Sequence, residues 1–137
     1  MMYTDENRGT IQNEPRMKQV IDFSGLKYGT MTPTDIDGFF EFGKKLFVYY
    51  EFKYGFASIP KGQYAALLRQ VDTDRAAGKE AVLIFCRHKV KNTNSFVKAA
   101  DCIVVKYYYN GQWWQGNGRT AKEITDKFYN KFILEKD

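Results

Sequence analysis

A chain of 137 residues is the size of one ordinary domain, and a hydrophobic fraction of 44% is enough for a packed core. No run is apolar for long enough to span a bilayer, and the opening MMYTDENRGTIQNEPRMK has no apolar stretch of the kind a secretory signal carries, so cytoplasmic residence is the expectation. The net charge of +5 favours a polyanionic partner, while Cys86 and Cys102, with neither CxxC spacing nor clustered histidines, read as buried reduced thiols rather than zinc ligands.

One domain is expected over 1–137, with 1–18 as a polar tail or short helix; Pro15 permits a helix to begin near there. Gly25, Gly29 and Pro33 make the next segment loop or irregular strand. Ile36 to Phe42 and Leu46 to Tyr54 are rich in aromatic and β-branched residues and read as two strands, with Gly43-Lys44-Lys45 at the turn. Alternation puts Leu46, Val48, Tyr50 and Phe52 on one face of the second strand and Phe47, Tyr49, Glu51 and Lys53 on the other.

Ser58-Ile59-Pro60 reads as a helix entry, and Tyr64, Leu67, Leu68 and Val71 recur at helical spacing, with Gly78 as the stop. The apolar run Ala81 to Arg87 fits a strand covered on both faces and, following a crossover helix, parallel to an earlier one. His88 to Ser95 is a polar, basic loop. Asp101 to Tyr109 and Gln112 to Gln115 flank Asn110-Gly111, a type I′ hairpin signal. Thr120-Ala121-Lys122-Glu123 is a capping box opening a helix with Ile124, Phe128 and Phe132 inward. The order β-β-α-β-β-β-α implies an α/β or α+β domain with a mixed central sheet flanked by helices.

The chemistry centres on Asp37 and Glu51-Phe52-Lys53. A turn centred on Lys44, through a three-residue or five-residue loop, sets position 37 opposite position 51, with Cβ atoms about 4.5–5.5 Å apart. A two-residue loop at Gly43-Lys44 puts the acids on opposite faces, and the turn residues leave both registers open. Facing acids repel, and a hard cation such as Mg²⁺ resolves the conflict by taking carboxylate oxygens, waters and a substrate phosphate. Lys53, on the face of Glu51, is placed to hold a phosphate oxygen or the attacking water. The ordinary alternative is a solvated ion pair, since E-x-K triplets are common on strands.

At these residues the chain resembles the PD-(D/E)XK nuclease superfamily, the fold of restriction endonucleases and of many phage and repair nucleases. Pro33-Thr34-Asp35-Ile36-Asp37-Gly38 looks like its first element, Glu51-Phe52-Lys53 its second, and Gly62-Gln63 at the head of the next helix its third. The resemblance covers about Gly25 to His88. It implies a restriction-endonuclease-like αβββαβ core, with the C-terminal hairpin and helix as additions. It also implies a nuclease dependent on Mg²⁺ or Mn²⁺, acting on DNA more than RNA. Asp37 and Glu51 resemble the metal-binding acids, with the Phe52 carbonyl as a further ligand; Lys53 resembles the catalytic lysine, and Gln63 a residue that orients it or the substrate. Asp35 shares a face with Asp37 and is the alternative first acid in a slipped register.

The superfamily often carries a first-helix glutamate, for which only Glu6 and Glu14 are candidates here. That departure motivates the alternative of a catalytically inactive protein of this fold that binds nucleic acid or a protein partner. A homodimer is a further expectation for small nucleases of this type. Lys44, Lys61, Arg87, Lys89 and Lys91 are the candidate phosphate contacts. Tyr107 to Tyr109 and Trp113-Trp114 offer rings for base stacking, for a core or for a dimer surface.

Overall fold

The computed structural model describes residues 20–34, 36–55 and 61–135, with the backbone alone for 61–63. The expected N-terminal tail or helix, Asp35 and the Ser58 cap lie outside the described residues. The chain divides into two units, Met1–Pro33 and Thr34–Asp137. In the first, Tyr28 and Met31 form an isolated antiparallel bridge, and the Leu26 N–H donates to the Phe23 carbonyl.

The second unit holds β1 (Gly38–Phe42), β2 (Leu46–Tyr54), α1 (Lys61–Ala76), β3 (Glu80–His88), β4 (Ile103–Tyr109), β5 (Gln112–Gln115) and α2 (Ala121–Tyr129). It is an α+β architecture: a five-stranded sheet in the order β1-β2-β3-β4-β5. β2 and β3 run parallel and every other neighbouring pair antiparallel, so the sheet is mixed. α1 is the crossover that makes β2 and β3 parallel, as the apolar run at 81–87 implied.

The alternation in β2 sorts two cores. Leu46, Val48 and Tyr50 pack with Val82, Ile84 and Cys86 against Ile124 and Phe128 of α2. Tyr49, Ala81 and Leu83 pack on the other face against Leu67 and Val71 of α1. β3 is buried from Ala81 to Cys86, as a central strand covered on both sides must be.

Local chemistry explains the boundaries. Asn110 and Gly111 both adopt left-handed backbone, φ 56° and 76°, the type I′ geometry that joins β4 to β5. The Thr120 side chain accepts from the Glu123 N–H while the Glu123 carboxylate accepts from the Thr120 N–H, completing the capping box. After Tyr129 the helix widens into a π turn, Asn130–Leu134, and Phe132 packs on the α2-side core. β4 begins two residues later than expected because Ala99–Asp101 forms a 3₁₀ turn. β1 begins at Gly38 rather than Ile36, for a reason that belongs to the site.

Candidate active site at the carboxyl end of β2

β1 and β2 pair from Phe42↔Leu46 to Gly38↔Tyr50 around the three-residue loop Gly43-Lys44-Lys45. This is the register centred on Lys44. Continued by one pair, it sets position 37 across from position 51. Asp37 itself has left the strand. Its Oδ2 accepts from the Phe52 N–H at 2.8 Å, the bond a backbone carbonyl of β1 would otherwise accept. The side chain thus ends the ladder. A strand residue presents its N–H and C=O to the same edge. The Phe52 carbonyl therefore faces the edge where Asp37 sits.

Glu51 lies on the α1 face and is only 8% exposed. A buried carboxylate needs a partner, and Lys53 Nζ stands 3.5 Å from Glu51 Oε1 with its own side chain 35% exposed. Each acid therefore has a partner inside the protein: a backbone amide for Asp37, an ammonium for Glu51. The expectation that the acids repel and require a cation gives way to this arrangement, in which each carboxylate has a partner within the chain. Asp37 also borders an apolar cleft of about 410 Å³ on the α2 side, walled by Phe40, Tyr50, Phe52 and Ala121. Glu51 and Asp37 thus approach the Phe52 backbone from different directions.

The site stands at the carboxyl ends of the parallel strands, where open sheets with crossover helices bind ligands. Glu51 pairs in register with Phe85, and Tyr64 of α1 sets its ring edge-on to Phe85, with centroids 6.2 Å apart. The first turn of α1, which carries Gln63, therefore lies at the level of Glu51; the side chains of Lys61 and Gln63 are outside the described residues. Lys53 pairs with Arg87, whose Nη1 donates to the Gly55 carbonyl at 2.8 Å. Lys89 and Lys91 are exposed just beyond β3. Lys44 sits at the far end of the hairpin, a strand length of more than about 20 Å from Lys53. The structure does not bring it to the site.

Lys106 was not singled out from sequence. It pairs with Phe85, and its Nζ lies 4.2 Å from the Trp113 ring centroid and 5.8 Å from that of Tyr64. Its place among aromatics in IVVKYYY was the available signal. The aromatic tract is mainly structural. Tyr107 is buried, Tyr108 donates to Asp72, Tyr109 donates to Glu80, and Trp113 packs on the α1-side core. Cys86 and Cys102 are free and buried, and burial pushes the Cys86 thiol up to about 12.

No family model, no curated protein and no solved structure matches this chain. Among the described residues no helix is long and apolar enough to cross a membrane. Among them too, no three or more His, Cys, Asp and Glu side chains gather as a metal-holding group. The oxygen set on offer is the carboxylates of Asp37 and Glu51 and the Phe52 carbonyl. Magnesium in phosphate-transfer sites takes one or two carboxylates and completes its shell with waters and substrate oxygens. By donor type this set suits that cation rather than zinc, though Asp37 and Glu51 come to it from different directions and not as the expected facing pair on one face.

Proposed function

We propose that the protein is a divalent-metal-dependent nuclease hydrolysing phosphodiester bonds, in DNA more than RNA, built on a restriction-endonuclease-like core. The observation that supports this reading is the β1–β2 register, which brings Asp37 and Glu51-Phe52-Lys53 to one strand end beside the first turn of α1. Asp37, Glu51 and the Phe52 carbonyl would hold Mg²⁺ or Mn²⁺. When bound, such an ion polarises the phosphate and acidifies the attacking water.

The chain's own groups do the rest. The Phe52 N–H fixes Asp37 through Oδ2 and leaves Oδ1 for a cation, since a carboxylate offers about four lone-pair sites. Glu51 orients the ammonium of Lys53, a side chain that keeps a third of its surface open. Lys53 then stabilises the charge that develops on the phosphate oxygens. Gln63 takes the orienting role the resemblance assigns to it.

The internal pairing of both acids favours a second reading, a catalytically inactive protein of this fold that binds nucleic acid. Incubation with single-stranded and duplex DNA in Mg²⁺, Mn²⁺ or EDTA separates the two. Cleavage that requires the cation and disappears in Asp37→Asn supports the nuclease; asparagine keeps an acceptor for the Phe52 N–H, so the fold should survive. Binding without cleavage in either cation rejects it in favour of the second reading.

A further inference from the structure

A second cleft, of about 670 Å³, opens at the carboxyl end of β3, between the strand's exit and the segment leading to β4. Its size falls within the range of about 300–1,000 Å³ that ligand pockets occupy. Among the described residues Arg87, His88, Lys89 and Lys98 line it with one acid, Asp101, whose Oδ2 lies 3.9 Å from Lys98 Nζ with both side chains open to water. An exposed pair of this kind is weak, so Lys98 can exchange it for a phosphate. Phe96 lines it together with apolar residues such as Val97 and Ile103, and is 93% exposed, the most exposed of the large hydrophobic residues described. A ring held out in water contributes nothing to a core, yet this one stands in a cationic setting.

The two features together match one chemistry. An unpaired nucleotide offers a π face for an aromatic ring and a phosphate for an ammonium, whereas a duplex keeps its bases stacked on each other. The cleft also adjoins the candidate active site, because Arg87 on its wall pairs in register with Lys53. We infer that the cleft binds an unpaired nucleotide of the substrate strand, its base stacked on Phe96 and its phosphate held by Lys98. The protein then acts on single-stranded or frayed nucleic acid in preference to an intact duplex. This rests on the reading above that the partner is a nucleic acid, and does not depend on hydrolysis.

The test is fluorescence anisotropy with a labelled single-stranded oligonucleotide and a blunt duplex of the same length, in EDTA so that nothing is cut. The single strand is expected to bind more tightly. Phe96→Ala should weaken single-strand binding about 5- to 150-fold, the range expected for one base stack, and Phe96→Tyr should retain it. Lys98→Glu should weaken it further and flatten its salt dependence. Tighter binding of the duplex, no single-strand binding, or an unchanged affinity in Phe96→Ala each overturns the inference. A protein that fails to cleave in Mg²⁺ but shows the Phe96 dependence loses the nuclease reading and keeps this one. Cleavage with Phe96-independent binding gives the reverse.

Discussion

Lys53→Ala tests the proposed site most sharply, because an observed job and a proposed job of that side chain are separable. It neutralises Glu51 and, in the proposed mechanism, it stabilises charge on the phosphate. At 3.5 Å and an effective dielectric of about 20, the Coulomb attraction of the pair is about 5 kcal/mol before desolvation. Lys53 is a third exposed, so screening and the cost of removing both ions from water reduce the net coupling to about 2 kcal/mol. For a chain of this size that is a fall of roughly 6–10 °C in melting temperature. Glu51→Gln removes the charge left behind, so the double variant should recover most of that loss. Cleavage should not recover: removing one donor to a developing anion costs about 10²–10³ in rate. Thermal melts of the four proteins, with single-turnover cleavage of labelled DNA at a temperature where all are folded, read both jobs. Cleavage retained in Lys53→Ala, or regained along with stability in the double variant, refutes the catalytic role. Strict additivity of the two melting shifts refutes the ion-pair argument.

Three other outcomes follow from the same geometry. Because Asp37 and Glu51 have partners within the chain, EDTA should leave the melting temperature unchanged, while saturating Mg²⁺ or Mn²⁺ raises it by mass action; unfolding on chelation contradicts this. Gly116→Ala places a Cβ 1.9 Å from the Val104 carbonyl oxygen, a backbone atom that cannot swing away, and should cost about 3 kcal/mol or more in urea unfolding. Burial raises Cys86 from 9.0 and Tyr50 from 10.0 to about 12 each, so both hold their protons in the folded protein at pH values where the unfolded chain releases them. Their contribution is therefore whole below pH 9 and lost as the pH rises towards 12, each group adding a slope of up to ~1 kcal/mol per pH unit; a flat stability profile across that window counts against the buried placement.

Much of the architecture was legible locally. Asn110-Gly111 and Thr120-x-x-Glu123 name their turn and cap because each rests on backbone geometry within four residues. The two faces of β2 follow from its period of two, and the parallel pairing of β3 from a buried run after a crossover helix. The candidate site residues were picked out in the same way, as an acid before a turn and E-x-K after it.

The relation between those residues was not. Gly43-Lys44-Lys45 is compatible with more than one loop length, and pairing is decided by which faces bury against α1 and α2, a choice no short window contains. Only the tertiary structure takes Asp37 off the strand to meet the Phe52 amide, buries Glu51 against Lys53, and leaves Lys44 at the opposite end of the hairpin. It alone shows that Tyr107 is core while Phe96 stands in water, since a side chain's exposure depends on what distant elements place over it. Residue types and periods set the possible chemistry here; long-range packing set which groups meet.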